Sequence, residues 1–115
     1  MKILIVDDDP IVIQSCFRIL DAEGFDIHCA GSVDAGEKIL SEQAFDLMLT
    51  DIKMPGRDGF DMIRRAKNIR PDISILVMTG YLMPETIDEG RRFGVKNYIS
   101  KPFTPAELIS AIQNM

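Results

Sequence analysis

The sequence predicts a doubly wound α/β fold, one open sheet of five parallel strands with helices on both faces. Three observations lead there. Five apolar runs rich in Val, Ile and Leu, at residues 3–6, 25–29, 45–49, 73–78 and 95–99, begin 22, 20, 28 and 22 residues apart. That is the rhythm of a strand, a helix and two loops. Helix-like stretches fill the intervals, and strict alternation of strand and helix implies a parallel sheet with right-handed crossovers. The chain has 115 residues, enough for one domain over 1–115. Five strands are too few to close an eight-stranded barrel.

The first run, Ile3 to Val6, is near-continuously apolar, as a strand buried on both faces is. Asp9 followed by Pro10 reads as an N-cap with proline at the first helical position. Ile13, Cys16, Phe17 and Leu20 then share one helical face, and Gly24 marks the stop. The second run alternates, and Ser32 opens a second helix carrying Ala35, Ile39 and Leu40. The third run leads to Asp51. A third helix is expected from about Gly59 to Asn68, with Phe60, Ile63 and Lys67 at helical spacing and Pro71 shortly after its end. The fourth run ends at Thr79-Gly80. The helix expected over 84–93 is only weakly apolar, through Ile87, Gly90 and Phe93. The fifth run leads to Lys101-Pro102. Thr104-Pro105 opens the last helix, with Glu107 placed for a capping box and Leu108, Ile109 and Ile112 for the core.

Composition narrows the function classes. With 13 Lys plus Arg against 18 Asp plus Glu, the net charge is −5, which argues against direct nucleic-acid binding, since that draws on clustered cations. Arg64, Arg65, Lys67 and Arg70 cluster, and read as the solvated face of a helix. No apolar run approaches the ~18 residues of a membrane span, and Asp7-Asp8-Asp9 cuts off the apolar start too early for a signal peptide. Cys16 and Cys29 fit no metal spacing, so free thiols and a cytoplasmic location are expected.

Ligands of open α/β sheets sit beyond the carboxyl ends of the strands. Strand ends one, three, four and five carry Asp7, Asp8 and Asp9, Asp51, Thr79 and Lys101, whereas the second ends in the inert Ala30-Gly31-Ser32. Each residue has a bland reading by itself: Asp9 as helix cap, Asp51 as an Asx-turn, Thr79 as a loop hydroxyl, Lys101 as a surface lysine. Together they make a crevice of carboxylates, one hydroxyl and one ammonium. Like charges 4 Å apart repel by about 4 kcal/mol at an effective dielectric near 20, so such a cluster calls for cations. Lys101 offsets one charge, and an all-oxygen site without His or Cys favours Mg²⁺, with Mn²⁺ as substitute, over zinc. Carboxylate, lysine, hydroxyl and Mg²⁺ suit phosphoryl transfer with Asp51 as nucleophile.

Four segments carry a family resemblance covering residues 2–115. They are Ile-Leu-Ile-Val-Asp-Asp-Asp-Pro at 3–10, Leu-Thr-Asp-Ile-Lys-Met-Pro-Gly-Arg-Asp-Gly at 49–59, Val-Met-Thr-Gly at 77–80 and Tyr-Ile-Ser-Lys-Pro-Phe at 98–103. In order and at this spacing, the sequence resembles the receiver domain of bacterial two-component response regulators, the superfamily of chemotaxis receivers. The resemblance implies a flavodoxin-like (βα)5 fold in strand order 2-1-3-4-5. It implies a signalling switch rather than an enzyme with a separate substrate. Asp51 would be the phosphoacceptor, charged by a sensor histidine kinase or a phosphotransfer protein. Asp8 would bind Mg²⁺ directly, Asp7 through water, alongside Asp51 and the backbone carbonyl of Lys53. Thr79 and Lys101 would hold the phosphoryl group, and the Lys101-Pro102 bond would be cis. Thr79 and Tyr98 would form a switch pair that biases the face of the fourth helix, fifth strand and fifth helix toward an output domain or partner. Lys53 and Tyr81 would flank the pocket mouth and restrain water attack.

The resemblance leaves open a stand-alone receiver or one cut from a larger regulator or hybrid kinase. The last helix lacks the basic residues of regulators that dimerise as winged-helix transcription factors. A haloacid-dehalogenase-like phosphatase shares the nucleophile and the metal, but it wants Thr or Val two residues after its second Asp, where Ile11 stands, and a longer core. A flavodoxin-like flavin binder would need a phosphate cradle where Asp7-Asp8-Asp9 repels one. A receiver-shaped module that is never phosphorylated would not need the complete set of pocket residues.

Overall fold

The computed structural model describes residues 1–54, 57–80 and 82–115. Along the chain run β1 (Lys2–Val6), α1 (Pro10–Ala22), β2 (Asp26–Ala30), α2 (Val33–Glu42), β3 (Leu47–Asp51), β4 (Lys53–Met54) and β5 (Arg57–Asp58). They are followed by α3 (Gly59–Ile69), β6 (Ser74–Thr79), α4 (Pro84–Arg92), β7 (Asn97–Ser100) and α5 (Pro105–Gln113). The five long strands form one parallel sheet in the order β2-β1-β3-β6-β7, which is 2-1-3-4-5 when only they are counted.

Alternation of side chains along each strand splits the core into two layers. Ile3, Ile5, Leu47, Leu49, Leu76 and Met78 face α1 and α5 and pack with Cys16, Leu20, Leu108 and Ile112. Leu4, Val6, Met48 and Val77 face the other way, onto Leu40 of α2 and Met62, Ile63 and Ala66 of α3. The winding is therefore double, with β1 and β3 buried on both faces. Fully burying each such aliphatic side chain contributes about 1.5–3 kcal/mol.

The helix signals work locally as the residues require. Asp9 accepts from the Ile11 amide and Ser32 from the Ala35 amide. Thr104 and Glu107 cap each other reciprocally at the start of α5. Gly24 closes α1 with φ 87°, a conformation costly for any residue with a Cβ.

Three differences from the sequence reading stand out. Strands β3, β6 and β7 start one or two residues later than the apolar runs, because Phe45, Ile73 and Val95 are buried before the ladder begins. At its other end β3 runs past the apolar run and pairs with β6 as far as Asp51, which is its last residue rather than the first of a loop. The four clustered cations, three on α3 and Arg70 just past its end, do not simply face water. Arg65 pairs with Asp34, Glu37 and Asp61, and Arg64 with Asp61. Lys67 donates to the Ile73 carbonyl and Arg70 to that of Leu40. They tie α3 to α2 and to the start of β6. The short antiparallel ribbon β4-β5 after Asp51 has no apolar periodicity to announce it.

Candidate functional site

The site lies where β1, β3, β6 and β7 end side by side. β1 pairs with β3 up to Val6–Thr50, so Asp7 and Asp51 leave the sheet as neighbours. Val6 and Thr79, each the last residue of its strand, pair with Thr50 and Ser100, which brings the start of the β7–α5 loop to the same edge. There the Lys101 amide donates to the Thr79 carbonyl at 2.8 Å, and this bond aims the lysine inward. The Lys101-Pro102 bond is cis.

Asp7 is fully buried, Asp51 is 8% exposed, and Asp8 is exposed. Each of the three offers a carboxylate oxygen within 4.8 Å of the other two. Lys101 Nζ donates to Asp7 Oδ2 at 2.8 Å and to Asp51 Oδ2 at 2.7 Å. The second oxygen of Asp7 accepts from the Asp9 amide, and that of Asp51 from the Lys53 amide, both at 2.9 Å. The Asp51–Lys53 bond is of the Asx type. The bland reading of Asp51 thus contributes to the site, because it fixes one carboxylate oxygen.

Electrostatics follow from these contacts. Burial raises the Asp7 pKa above the usual carboxylate value, against the opposing hydrogen bonds from Lys101 and the Asp9 amide. Burial also works against the Lys101 charge, but the hydrogen bonds to Asp51 and Asp7 outweigh it and raise its pKa. One ammonium among three carboxylates leaves the cluster short of positive charge. Its donors are all oxygens, so a hard divalent cation of the Mg²⁺ type fits them.

The other predicted residues fall around this centre. Thr79 is buried at the end of β6, and the Lys53 side chain is exposed at the start of β4. Tyr98 is half-buried in β7, and its hydroxyl donates to the Ile87 carbonyl of α4 at 3.4 Å, a long hydrogen bond. Tyr81 lies outside the described residues. The sequence places Gly90 in the weakly apolar fourth helix but does not pair it with Tyr98, whose hydroxyl rests against it; by itself a glycine in a weak helix reads as a tolerated breaker.

Comparison with known proteins matches residues 3–113 to the response regulator receiver domain model. The chain belongs to that family. It is a receiver domain of two-component response regulators, a phosphorylation-activated signalling switch. The receiver is 35% identical to the transcriptional regulatory protein AruR of Pseudomonas aeruginosa, over 99% of this chain and 48% of that protein. It spans about half or less of the length of the curated relatives it matches. Chemotaxis protein CheY4 of Vibrio cholerae superposes with a TM-score of 0.94 at 26% identity, over 98% of this chain and 96% of that one. A response regulator from Burkholderia pseudomallei, solved with a phosphorylated aspartic acid, a calcium ion and citrate, superposes with a TM-score of 0.89 at 26% identity, over 97% and 66%. Among the described residues, no helix is long and apolar enough to cross a membrane.

Proposed function

We propose that Asp51 is the phosphoacceptor of a receiver domain spanning 1–115. The observation that carries this reading is the Lys101 ammonium bridging Asp7 and Asp51 beside Asp8. A carboxylate oxygen of Asp51 attacks the phosphorus of a phosphohistidine on a sensor kinase or phosphotransfer protein. The O–P bond forms as the P–N bond breaks, and the imidazole leaves with the electron pair and takes up a proton. Lys101 holds charge on the transferring oxygens, and the Thr79 hydroxyl hydrogen-bonds another of them. Asp8, Asp7, Asp51 and the backbone carbonyl of Lys53 would hold the Mg²⁺ ion. When bound, Mg²⁺ supplies positive charge where the phosphoryl oxygens gather negative charge.

The phosphoryl group then draws Thr79 toward it, and Tyr98 turns into the space this frees. The face of α4, β7 and α5 changes, and an output domain or partner reads it. Lys53 and Tyr81 limit hydrolysis of the phosphoryl group. The cysteines and the acidic surface fit a cytoplasmic setting.

Intact-mass measurement after incubation with Mg²⁺ and acetyl phosphate tests this function. One added phosphoryl group on the parent chain and none on Asp51→Asn is the expected result. No added mass on the parent refutes phosphorylation, and an equal gain on Asp51→Asn refutes the acceptor.

A further inference from the structure

Tyr98 stands opposite Val77 in the β6–β7 ladder, and its phenol reaches across to α4. A ring comes this close to a helix backbone only where the helix offers no side chain. Gly90 is that place. It is buried, and a Cβ built there would lie 1.8 Å from Tyr98 Oη, 3.0 Å from Tyr98 Cζ and 3.4 Å from Val95 Cβ. The phenol is rigid, so its hydroxyl cannot step aside alone; either the whole ring turns about χ1 or α4 lifts.

Backbone geometry does not account for this glycine. Gly24 and Gly94 have positive φ, whereas Gly90 sits in regular helix, where glycine is the poorest former after proline. The helix that bears it is also lightly held. Met83 gives α4 no side-chain cap, and Phe93 just past its end stacks on Phe60 with ring centroids 5.8 Å apart. The seat for the phenol is one attachment between α4 and the body of the domain.

We propose that Gly90 is a positioning residue for Tyr98: its missing side chain forms the seat that holds the ring against α4. The seat sets how readily the ring leaves that position, and so the balance of the switch. The link to phosphorylation rests on the proposed Thr79–Tyr98 switch; the position of the ring does not.

The chain has two tyrosines and no tryptophan, so Tyr81→Phe leaves Tyr98 as the sole fluorophore. In that background, Gly90→Ala should displace the ring and change acrylamide quenching of its fluorescence. Unchanged quenching in a folded variant overturns the proposal. Tyr98→Leu provides the rescue. With the phenol removed, Gly90→Ala should raise the melting temperature, as helix propensity dictates. With Tyr98 present, the rise should be absent or reversed. Equal shifts in both backgrounds overturn the proposal, as does failure to fold in both; failure to fold only with Tyr98 present supports it. Gly90→Ala should also change the fraction of chain labelled at a fixed acetyl phosphate concentration. Unchanged labelling with a displaced ring overturns the coupling to Asp51, and absence of label on the parent chain would instead count against Asp51 chemistry itself.

Discussion

Replacing Lys101 with Met removes the one ammonium of the cluster while keeping an unbranched apolar stem. Asp7 and Asp51 offer oxygens within 4.8 Å of each other. At an effective dielectric near 20, their mutual repulsion is then at least about 3 kcal/mol, and each lysine contact near 2.8 Å is worth about 6 kcal/mol before desolvation. Removing one partner of a buried ion pair typically costs about 3–5 kcal/mol, and proton uptake by the stranded carboxylate relieves part of that. We expect Lys101→Met to lose about 3 kcal/mol near neutral pH, read from urea unfolding followed by circular dichroism with an unchanged m-value. The pH dependence has a definite sign. Asp7 is already raised above 3.8 by burial, and without Lys101 it rises further. A carboxyl raised in the folded state contributes stability below its unfolded pKa and loses it as pH rises through its folded pKa. The deficit should therefore narrow on acidification, and in an Asp7→Asn background it should shrink strongly. A variant as stable as the parent, or a deficit unchanged by Asp7→Asn, would refute the charge-balance account.

Asp8 is the exposed member of the cluster, and Mg²⁺ at about 100 times its Kd should raise parent stability by about 2.7 kcal/mol, a gain that Asp8→Asn should largely remove in thermal melts. An equal gain in the variant would contradict the ligand assignment. Burial pushes the Cys16 thiol up to about 11 from 9.0. A thiol raised on folding makes stability fall as pH climbs between its unfolded and folded values, here by about 1.4 kcal/mol per pH unit. Urea midpoints across that window should decline less steeply for Cys16→Ala than for the parent, and parallel slopes would refute the assignment.

The parallel strands were legible because burial on both faces leaves continuous apolar runs, and the caps because Asp9, Ser32 and Thr104 stand at helix starts with partners at the required spacing. The site was legible only jointly. Asp51, Thr79 and Lys101 each have an ordinary reading, and it took the rule that strand ends converge to make them one site. Strand order came through resemblance, since no periodicity encodes which strands are neighbours. The partners of Arg65 and Arg70 were hidden because ion pairs and side chain–carbonyl bonds across 28 and 30 residues leave no local pattern. The pairing of Gly90 with Tyr98 was hidden for a related reason: the group that needs the empty space lies on another element.

The most direct test locates the phosphoryl group chemically. After labelling with acetyl phosphate and Mg²⁺, borohydride reduces an acyl phosphate to the alcohol, which converts the modified aspartate to homoserine for peptide mass mapping. Homoserine at position 51 alone is the predicted result. Homoserine at Asp7 or Asp8, or an unreduced chain that nonetheless gained phosphoryl mass, would contradict Asp51 as the acceptor.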